Sequence, residues 1–435
     1  MEGGAVRGSA GFRQRRTGCL ALPGGPAGRA AAAGQKHPHA STPPPSPLGG
    51  LAAAADPEAA DRSTLQGKLM AGYQGWFTAG GRRAQRGWTH WTRDGRLPTP
   101  DNIRVDLWPD LSEFGPAERF ATGFKHADGR TADLFSSLPR ETVARHFRWM
   151  REYGIDGAFL QRFTAGLRDT VHRRNLDTVL TNCLAAAASE GRVLALMYDL
   201  SGTPGARFPE VKEDWLRLDS DGRLTGAAPY LRHRDKPLVA LWGVGFSDHR
   251  PYTVAQCADL VAFFRGRGCA VLLGVPCYWR TGTRDAVADP ALPELLASVD
   301  VLSPWTVGRY ATPEAAEAYA RDTLAPDLAW CRERGVDLLP VAFPGFSWHN
   351  MNPGSPSDQI PRLKGRFFQA QLDTHRAAGA GMQYVAMFDE VDEGTAIFKC
   401  ADSPPAGAPF VTLEGLPSDH YLRLAGEAAR RLKKP

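Results

Sequence analysis

Eight short apolar runs recur through most of the chain, and each of them ends in polar or aromatic residues. Continuous apolar runs bounded by turn residues are typical of strands that are buried on both faces of a parallel sheet. The pattern therefore predicts eight strands of such a sheet. The runs occupy residues 68–77, 154–163, 192–202, 237–246, 269–279, 298–308, 336–348 and 382–390.

The segments between these runs have the periodicity of helices. In residues 139–154, Val143, Phe147 and Met150 follow the i, i+4, i+7 spacing of one helix face. Three further segments end at a glycine in a position that is typical of a helix C-terminus. These segments are residues 175–191, 253–268 and 312–335, and residues 366–381 form a further helical segment before the eighth run.

Eight strands that alternate with helices predict an α/β protein with a (β/α)8 TIM barrel. A doubly wound open sheet is the alternative. It would need a glycine-rich phosphate turn after an early strand, and no GxGxxG sequence occurs. Residues 78–138 join the first strand to the first clear helix and are too long for a simple connection. We therefore expect an elaborated first βα loop at the mouth of the barrel.

Residues 1–62 are rich in Ala, Gly, Pro and Arg, and they contain the linker-like stretch HASTPPPSPLGG. We expect them to form a disordered leader or a targeting segment, unless they reflect an over-extended start of the chain. Residues 63–435 are expected to form the barrel. If the leader is a targeting segment, the protein would be secreted or organellar, and otherwise it would be cytoplasmic.

Charge and composition exclude several kinds of partner. The formal net charge is +5, and part of this excess lies in the leader. No basic stripe with interleaved aromatic residues is present, so nucleic acid is not an expected partner. No apolar run of about twenty residues occurs, so we predict no membrane span. The seven cysteines include no CxxC pair and no Cys/His spacing of a zinc site, so we expect no metal or other cofactor. The sequence leaves the oligomeric state open.

In a TIM barrel the active site lies at the C-terminal ends of the strands. Here those ends carry aromatic side chains and several polar groups. Aromatic rings stack on sugar rings and carboxylates bind hydroxyl groups, so the mouth suits an oligo- or polysaccharide, although several of these aromatics could instead pack under the helices. The candidate substrate ligands, chosen by position, are Tyr73, Gln74, Trp76, Arg162, Asp199 and His349.

The eighth run ends in a cluster of four carboxylates within five positions: Asp389, Glu390, Asp392 and Glu393. Hydrolysis of a glycosidic bond needs one protonated and one ionised carboxyl group, and two neighbouring carboxyl groups do not ionise equally. Glu390 and Glu393 are three residues apart and would project to the same side if the chain turns after the strand, as the following Gly394 allows. The alternatives are a solvated acidic loop, a helix N-terminus and a calcium site.

The stretch DEVDEGT, residues 389–395, resembles the motif of glycoside hydrolase family 99, the endo-α-mannosidases, in which Glu-x-x-Glu-Gly-Thr follows the last barrel strand. It is also similar to the acid pair of family 71, the α-1,3-glucanases. The stretches AGYQGWF, GWTHW and DLWPD resemble a bacterial group of this 71/99-like superfamily whose members are described as xylosidases or arabinosidases. The resemblance covers roughly residues 65–430.

The resemblance implies a retaining glycoside hydrolase that acts on α-linked glycans without a metal. Glu390 would deprotonate the 2-hydroxyl group, which attacks C1 to give a 1,2-anhydro sugar, and Glu393 would be the acid/base. The Asn and Trp of the family motif are Asp389 and Val391 here, and its His before the second glutamate is Asp392. The sugar, the linkage and the choice between this route and the classical two-carboxylate routes therefore stay open. A non-catalytic carbohydrate-binding barrel is the alternative function.

Overall fold

The computed structural model of the protein describes residues 59–80 and 85–433 of the 435-residue chain. The predicted leader therefore lies outside the described residues, apart from residues 59–62. In that short stretch the backbone N–H of Ala60 donates to the carbonyl of Gly191 at 2.8 Å. The first described residues are thus in contact with the body of the protein.

Strands and helices alternate along the chain as predicted. The strands are β1 (Leu69–Tyr73), β2 (Arg119–Lys125), β3 (Thr131–Phe135), β4 (Gly157–Phe163), β5 (Val193–Asp199), β6 (Arg232–His233), β7 (Lys236–Trp242), β8 (Ala270–Pro276), β9 (Val301–Trp305), β10 (Asp337–Leu338), β11 (Val341–Ala342) and β12 (Gln383–Val385). The helices are α1 (Arg140–Tyr153), α2 (Thr170–Ser189), α3 (Phe208–Leu218), α4 (Val254–Gly266), α5 (Leu292–Ala297), α6 (Pro313–Tyr319), α7 (Ala325–Arg334), α8 (Arg366–Ala377) and α9 (His420–Leu432). None of the helices in the described ranges is long and apolar enough to cross a membrane.

The sheet closes into a barrel because the seventh apolar run pairs with strands on both of its sides. This run forms β10 and β11; β10 pairs with β9, and β11 pairs with β12. The remaining parallel pairs follow the order β9, β8, β7, β5, β4, β1, β12. Successive barrel strands are connected by helices, which confirms the predicted (β/α)8 TIM barrel.

The register of the strands decides which strand-end side chains face the inside of the barrel. Phe163 pairs with Asp199, and Asp199 pairs with Trp242, so these three residues lie at one level on the same face. Two residues before Phe163, the amide of Gln161 donates to the hydroxyl of Tyr384 on β12 at 3.2 Å. This bond passes over β1 through the barrel interior, which identifies the inner face. The residues between these positions point outward to the helices.

The predicted elaboration of the first loop is also confirmed. Within residues 78–138, β2 and β3 form an antiparallel hairpin. The backbone N–H groups of Asp106 and Leu107 both donate to the carbonyl of Val391, at 3.0 and 3.2 Å. The loop is thereby fastened to the segment after β12 in which the four carboxylates lie.

Gly426 lies where α9 crosses the C-terminal end of α1. A Cβ atom at this position would lie 1.7 Å from the carbonyl oxygen of Tyr153. Gly426→Ala should therefore push the two helices apart and lower the free energy of unfolding by about 1–3 kcal/mol.

The matched control for this change is Gly266→Ala at the end of α4, where a Cβ atom would meet nothing within 4 Å. There the higher helix propensity of alanine should raise the free energy of unfolding by up to about 1 kcal/mol. Thermal unfolding measures both variants. Equal melting temperatures would contradict the close contact between α1 and α9.

Candidate active site

Asp389 joins the last strand of the barrel to the first. Its two carboxylate oxygens accept hydrogen bonds from the backbone N–H groups of Gln74 (2.8 Å) and Gly75 (2.9 Å), directly after β1. The side chain of Asp389 is fully buried. Asp389 is therefore occupied by backbone donors, and it positions the residues that follow it.

Asp392 is held by the long first loop. Its Oδ2 atom lies 3.2 Å from Nδ1 of His90 and 3.6 Å from Nε of Arg104, and 1% of its side chain is exposed. A buried carboxylate needs a partner of opposite charge or hydrogen-bond donors, and the loop supplies both. The first loop thus balances part of the negative charge that the carboxylate cluster brings to the mouth.

Glu390 is buried, and both of its carboxyl oxygens are bonded. Oε1 accepts a hydrogen bond from Nε2 of Gln74 at 2.7 Å, and Oε2 accepts one from Oγ1 of Thr395 at 2.8 Å. Burial raises the pKa of Glu390 well above the usual range of a glutamate, and the nearby charge of Glu393 raises this pKa further. Both effects favour the protonated form of Glu390.

Glu393 is only partly buried, and its pKa is also raised. Burial raises the pKa of Glu393 to about 7; the charges of Asp392 and Asp199 act in the same direction, and Arg104 opposes them. Two carboxyl groups whose charges interact lose their protons in two steps that belong to the pair. Burial therefore raises the pKa of both members of the pair, so each holds its proton to a higher pH than an exposed glutamate does, as the acid in acid–base hydrolysis must.

The predicted turn after the strand is present. The backbone N–H groups of Thr395 and Ala396 donate to the carbonyl of Glu390 at 3.1 and 3.0 Å, so the chain folds back directly after the glutamate pair. Gly394 has a φ of +64°. A Cβ atom on Gly394 would lie 2.9 Å from the backbone nitrogen of Ser347. The turn therefore depends on a glycine at this position.

Three of the predicted substrate ligands lie beside the carboxylate cluster. Gln74 donates to Glu390, as described above. Asp199 ends β5 on the inner face, and its charge acts on Glu393. The indole of Trp76 stacks on the ring of His90, with the ring centroids 3.8 Å apart. These three residues stay candidates for substrate binding.

Tyr73 and Arg162, by contrast, face the helices and do not reach the mouth. The hydroxyl of Tyr73 lies 2.8 Å from Nδ1 of His146 on α1. Nε of Arg162 donates to Asp214 on α3 at 2.5 Å, and 1% of the Arg162 side chain is exposed. The prediction of these two residues as ligands overlooked the alternation of side chains along a strand, which sends every second one outward. Both therefore have structural contacts in place of the predicted contact with substrate.

His349 lies in the loop after β11, to one side of the glutamate pair. Its backbone N–H donates to Oδ2 of Asp106 at 2.7 Å, and its Nδ1 lies 2.6 Å from the carbonyl oxygen of Ser355. Within the described chain, its hydrogen bonds do not extend to Glu390 or Glu393. His349 thus joins the first loop to the loop after β11.

The side of the mouth away from the carboxylates is aromatic. Trp242 ends β7 and Trp305 ends β9; their ring centroids are 5.2 Å apart and the rings are nearly perpendicular. The guanidinium group of Arg250 lies 5.1 Å from the centroid of Trp242. The sequence pattern did not select these residues as ligands, because an aromatic residue at a strand end belongs to the core as often as to a binding site. The register of Trp242 with Asp199 is the signal that places it on the inner face.

The described chain offers neither a metal cluster nor a reactive thiol to this mouth. Among residues 59–80 and 85–433, no group of three or more His, Cys, Asp or Glu side chains is arranged to hold a metal ion. The cysteines in these ranges are buried and free of disulfides: Cys183, Cys257, Cys269, Cys277, Cys331 and Cys400. Burial raises the pKa of Cys400, for example, to about 12, which keeps its thiol protonated.

Comparison with solved structures identifies the fold. The chain is similar to the structure of the GH99 endo-α-mannosidase from Bacteroides thetaiotaomicron, with a TM-score of 0.60 and 15% sequence identity over 85% of this chain and 98% of that chain. The structure of that enzyme in complex with bis-tris propane gives a TM-score of 0.57 at 15% identity, with the same coverage of 85% and 98%. A glycoside hydrolase-like protein gives a TM-score of 0.51 at 12% identity, over 87% of this chain and 97% of that chain.

No protein-family model matches the sequence, and no curated protein matches it. The similarity to solved structures is at low sequence identity, so it establishes the fold. This fold agrees with the resemblance of the closing motif to glycoside hydrolase family 99. The protein thus has the barrel of the GH99 structure, with a glutamate pair after its last strand.

Arg162 should stabilise the fold. It donates two hydrogen bonds to the buried Asp214. Arg162→Leu should lower the free energy of unfolding by about 3 kcal/mol, the low end of the range for breaking a buried ion pair, because Arg217 still faces Asp214. The control Arg217→Leu should cost about 1 kcal/mol or less, since the Arg217 side chain is 44% exposed. Urea unfolding measures both variants, and an Arg162→Leu protein as stable as the wild type would contradict the structural role.

The raised pKa values of the glutamate pair should make the protein less stable as pH rises. A carboxyl group whose pKa is raised by folding binds its proton more tightly in the folded protein than in the unfolded chain. For Glu393 the stability is therefore greatest below its ordinary pKa of 4.5, and it falls as pH rises toward 7. Glu393→Gln removes this loss, so its melting temperature should match the wild type at about pH 4 and exceed it at about pH 8.

Glu210→Gln is the control with the opposite sign. The hydrogen bond from Arg207 lowers the pKa of Glu210, so the intact carboxylate stabilises the fold above its ordinary pKa. Glu210→Gln should therefore lower the melting temperature at about pH 8. A difference between Glu393→Gln and the wild type that stays constant with pH would contradict the raised pKa.

Proposed function

We propose that this protein is a glycoside hydrolase that cleaves α-linked glycans, with Glu390 and Glu393 as its catalytic pair. The observation that carries the proposal is that these two carboxyl groups lie three residues apart in the turn after the last barrel strand, where burial raises the pKa of both. The other two acidic side chains of the cluster have different partners. Asp389 binds the backbone after β1, and Asp392 binds the first loop. The glutamates are thus the members of the cluster that remain for acid–base chemistry.

The comparisons support α-mannosides as the first substrates to test. The neighbour with the TM-score of 0.60 is an endo-α-mannosidase. The mouth also suits an oligosaccharide, because the partly exposed rings of Trp242 and Trp305 lie on the side away from the carboxylates. Aromatic rings of this kind provide flat apolar surfaces, and the inward-facing Asp199 provides an acceptor for hydroxyl groups.

In the route that the sequence resemblance implies, both glutamates act on the same sugar. Glu390 takes the proton of the 2-hydroxyl group, and the oxygen attacks C1. Glu393 gives its proton to the leaving oxygen as the glycosidic bond breaks. In the second step Glu393 takes a proton from water, the water oxygen attacks C1 as the bond between C1 and the 2-oxygen breaks, and the freed 2-oxygen recovers its proton from Glu390. The product then has the configuration of the substrate.

The environment of Glu390 in the free protein suits an acid as well as a base. Burial and the nearby charge of Glu393 raise the pKa of Glu390 well above the usual range of a glutamate, which favours its protonated form. Two assignments follow. Either substrate binding transfers the proton to Glu393, or Glu390 is the general acid of a classical two-carboxylate reaction in which Glu393 is the base or nucleophile.

Glu390→Gln and Glu393→Gln should each lower kcat/KM on α-mannans by about 10²–10⁴-fold, the usual contribution of general acid–base catalysis. On a dinitrophenyl α-mannoside, the variant that lacks the general acid should keep most of its kcat/KM, which reports the first bond cleavage, because this leaving group needs no protonation. Glu393→Gln is that variant in the epoxide route, and Glu390→Gln is that variant in the alternative. Initial rates distinguish the two, and proton NMR of the first anomer formed distinguishes retention from inversion.

Glu294→Gln, at an exposed position in α5, is the matched control and should behave like the wild type. The panel should also include α-glucans and other aryl glycosides, since the sugar is part of the proposal. A wild-type protein that turns over no member of the panel, yet binds one saturably and equally well in both glutamate variants, would overturn the enzyme assignment. The protein would then be a carbohydrate-binding barrel.

A further inference from the structure

His90 is a polar residue at the mouth to which the proposed reaction gives no role. It lies in the long first loop with a φ of +67°, a backbone conformation that few residues other than glycine and asparagine adopt. Its ring lies flat on the indole of Trp76, with centroids 3.8 Å apart and planes inclined by 6°. Phe163, at the inner end of β4, stacks on the same indole at 4.9 Å. The plane of the imidazole is therefore set by its neighbours.

The contact with Asp392 decides which ring nitrogen of His90 carries the proton. Nδ1 lies 3.2 Å from Oδ2 of Asp392. The Asp392 oxygen also lies beside the guanidinium of Arg104 and acts as an acceptor, so Nδ1 is the donor. Burial lowers the pKa of His90 to about 4, so the ring is neutral at physiological pH. In a neutral imidazole with its proton on Nδ1, Nε2 is a hydrogen-bond acceptor and cannot donate.

His90 is connected to the glutamate pair from two directions. Its partner Asp392 lies between Glu390 and Glu393 in the chain. Its stacking partner Trp76 follows two residues after Gln74, which donates to Glu390. The side chain of His90 is 19% exposed, so part of the ring is open to solvent. A sugar bound at the glutamates would bring hydroxyl donors to this part of the mouth.

We propose that His90 accepts, through Nε2, a hydrogen bond from a hydroxyl group of the sugar bound beside Glu390 and Glu393, in an orientation set by Asp392 and Trp76. The proposal rests on the proposed function and gives the first loop a role in specificity. A site built to bond a hydroxyl group rejects an analogue that lacks it, because the acceptor is then left unpaired. His90 would thus select one hydroxyl position of the sugar.

The test combines one change in the protein with one change in the sugar. In His90→Asn, the amide N–H can replace Nδ1–H toward Asp392, and asparagine tolerates the positive φ, but nothing replaces Nε2. On the complete sugar, His90→Asn should lower kcat/KM by about 10- to 100-fold, the cost of an unpaired polar group. On one monodeoxy derivative of the sugar, the wild type should lose the same factor in kcat/KM. His90→Asn should lose nothing further when that derivative replaces the complete sugar.

Two further variants make the result decisive. His90→Gln carries an amide oxygen that reaches the position of Nε2, so it should keep the preference for the complete sugar over that monodeoxy derivative. His126→Asn, on the β2–β3 hairpin, is the matched control and should behave like the wild type. The proposal is overturned if, for every monodeoxy derivative, the loss from changing His90 and the loss from the missing hydroxyl group simply add. It is also overturned if His90→Gln does not prefer the complete sugar.

The outcome is separate from that of the proposed function. Turnover that depends on both glutamates, together with additive losses at His90, would retain the enzyme and remove the His90 contact. If the wild type turns over no glycan, the same cycle is measured with dissociation constants of the complete and monodeoxy sugars. Coupling between His90 and one hydroxyl group would then retain the contact in a binding protein, and its absence would remove it.

Discussion

The two hydrogen bonds from the backbone of Gln74 and Gly75 to Asp389 hold the candidate site together. They join the chain directly after β1 to the segment after β12, and these first and last strands of the barrel pair with each other. Because Gln74 also donates to Glu390, one buried carboxylate positions both the glutamate turn and the side chain that contacts it. A shift of either strand end would leave a buried carboxylate without donors, which is costly in a water-free environment. Pairing of the first and last strands and the arrangement of the site therefore depend on the same contact.

The carboxylate cluster shows how a fold tolerates four acidic side chains within five positions. Asp389 accepts two hydrogen bonds from the backbone after β1, and Asp392 lies beside Arg104 and the ring of His90 in the first loop. Burial raises the pKa of Asp389 and of Glu393 to about 7 and that of Glu390 well above its usual range, but the backbone bonds of Asp389 tie its carboxyl group to the fold, so the two glutamates are the candidates for moving protons. The barrel supplies the positions and the first loop supplies the compensating charge. The loop is thus a part of the site, and its length has a physical reason.

The sequence pattern predicted the barrel well and its strand ends less well. All eight apolar runs contain barrel strands, because burial on both faces leaves a local signal. The seventh run is split into β10 and β11, and Pro340, which has no N–H to donate to a neighbouring strand, lies between them. Tyr73 and Arg162 were assigned to the mouth because they lie at strand ends, yet they belong to the outer layer. A run that is apolar on both faces carries no signal for which of its residues point inward.

The sequence by itself determined the alternation of strands and helices, the glycine-dependent turn at Gly394 and the acidic pair beside it. Periodicity, turn chemistry and charge spacing are properties of a few neighbouring residues, and they can be read without the fold. Only the tertiary structure decided which partners each acidic side chain of the cluster has. Asp389 and its donor Gln74 are separated by 315 positions, and Asp392 and His90 by 302. No local pattern records such pairings, since they arise only when the closed barrel brings the first loop against the last strand.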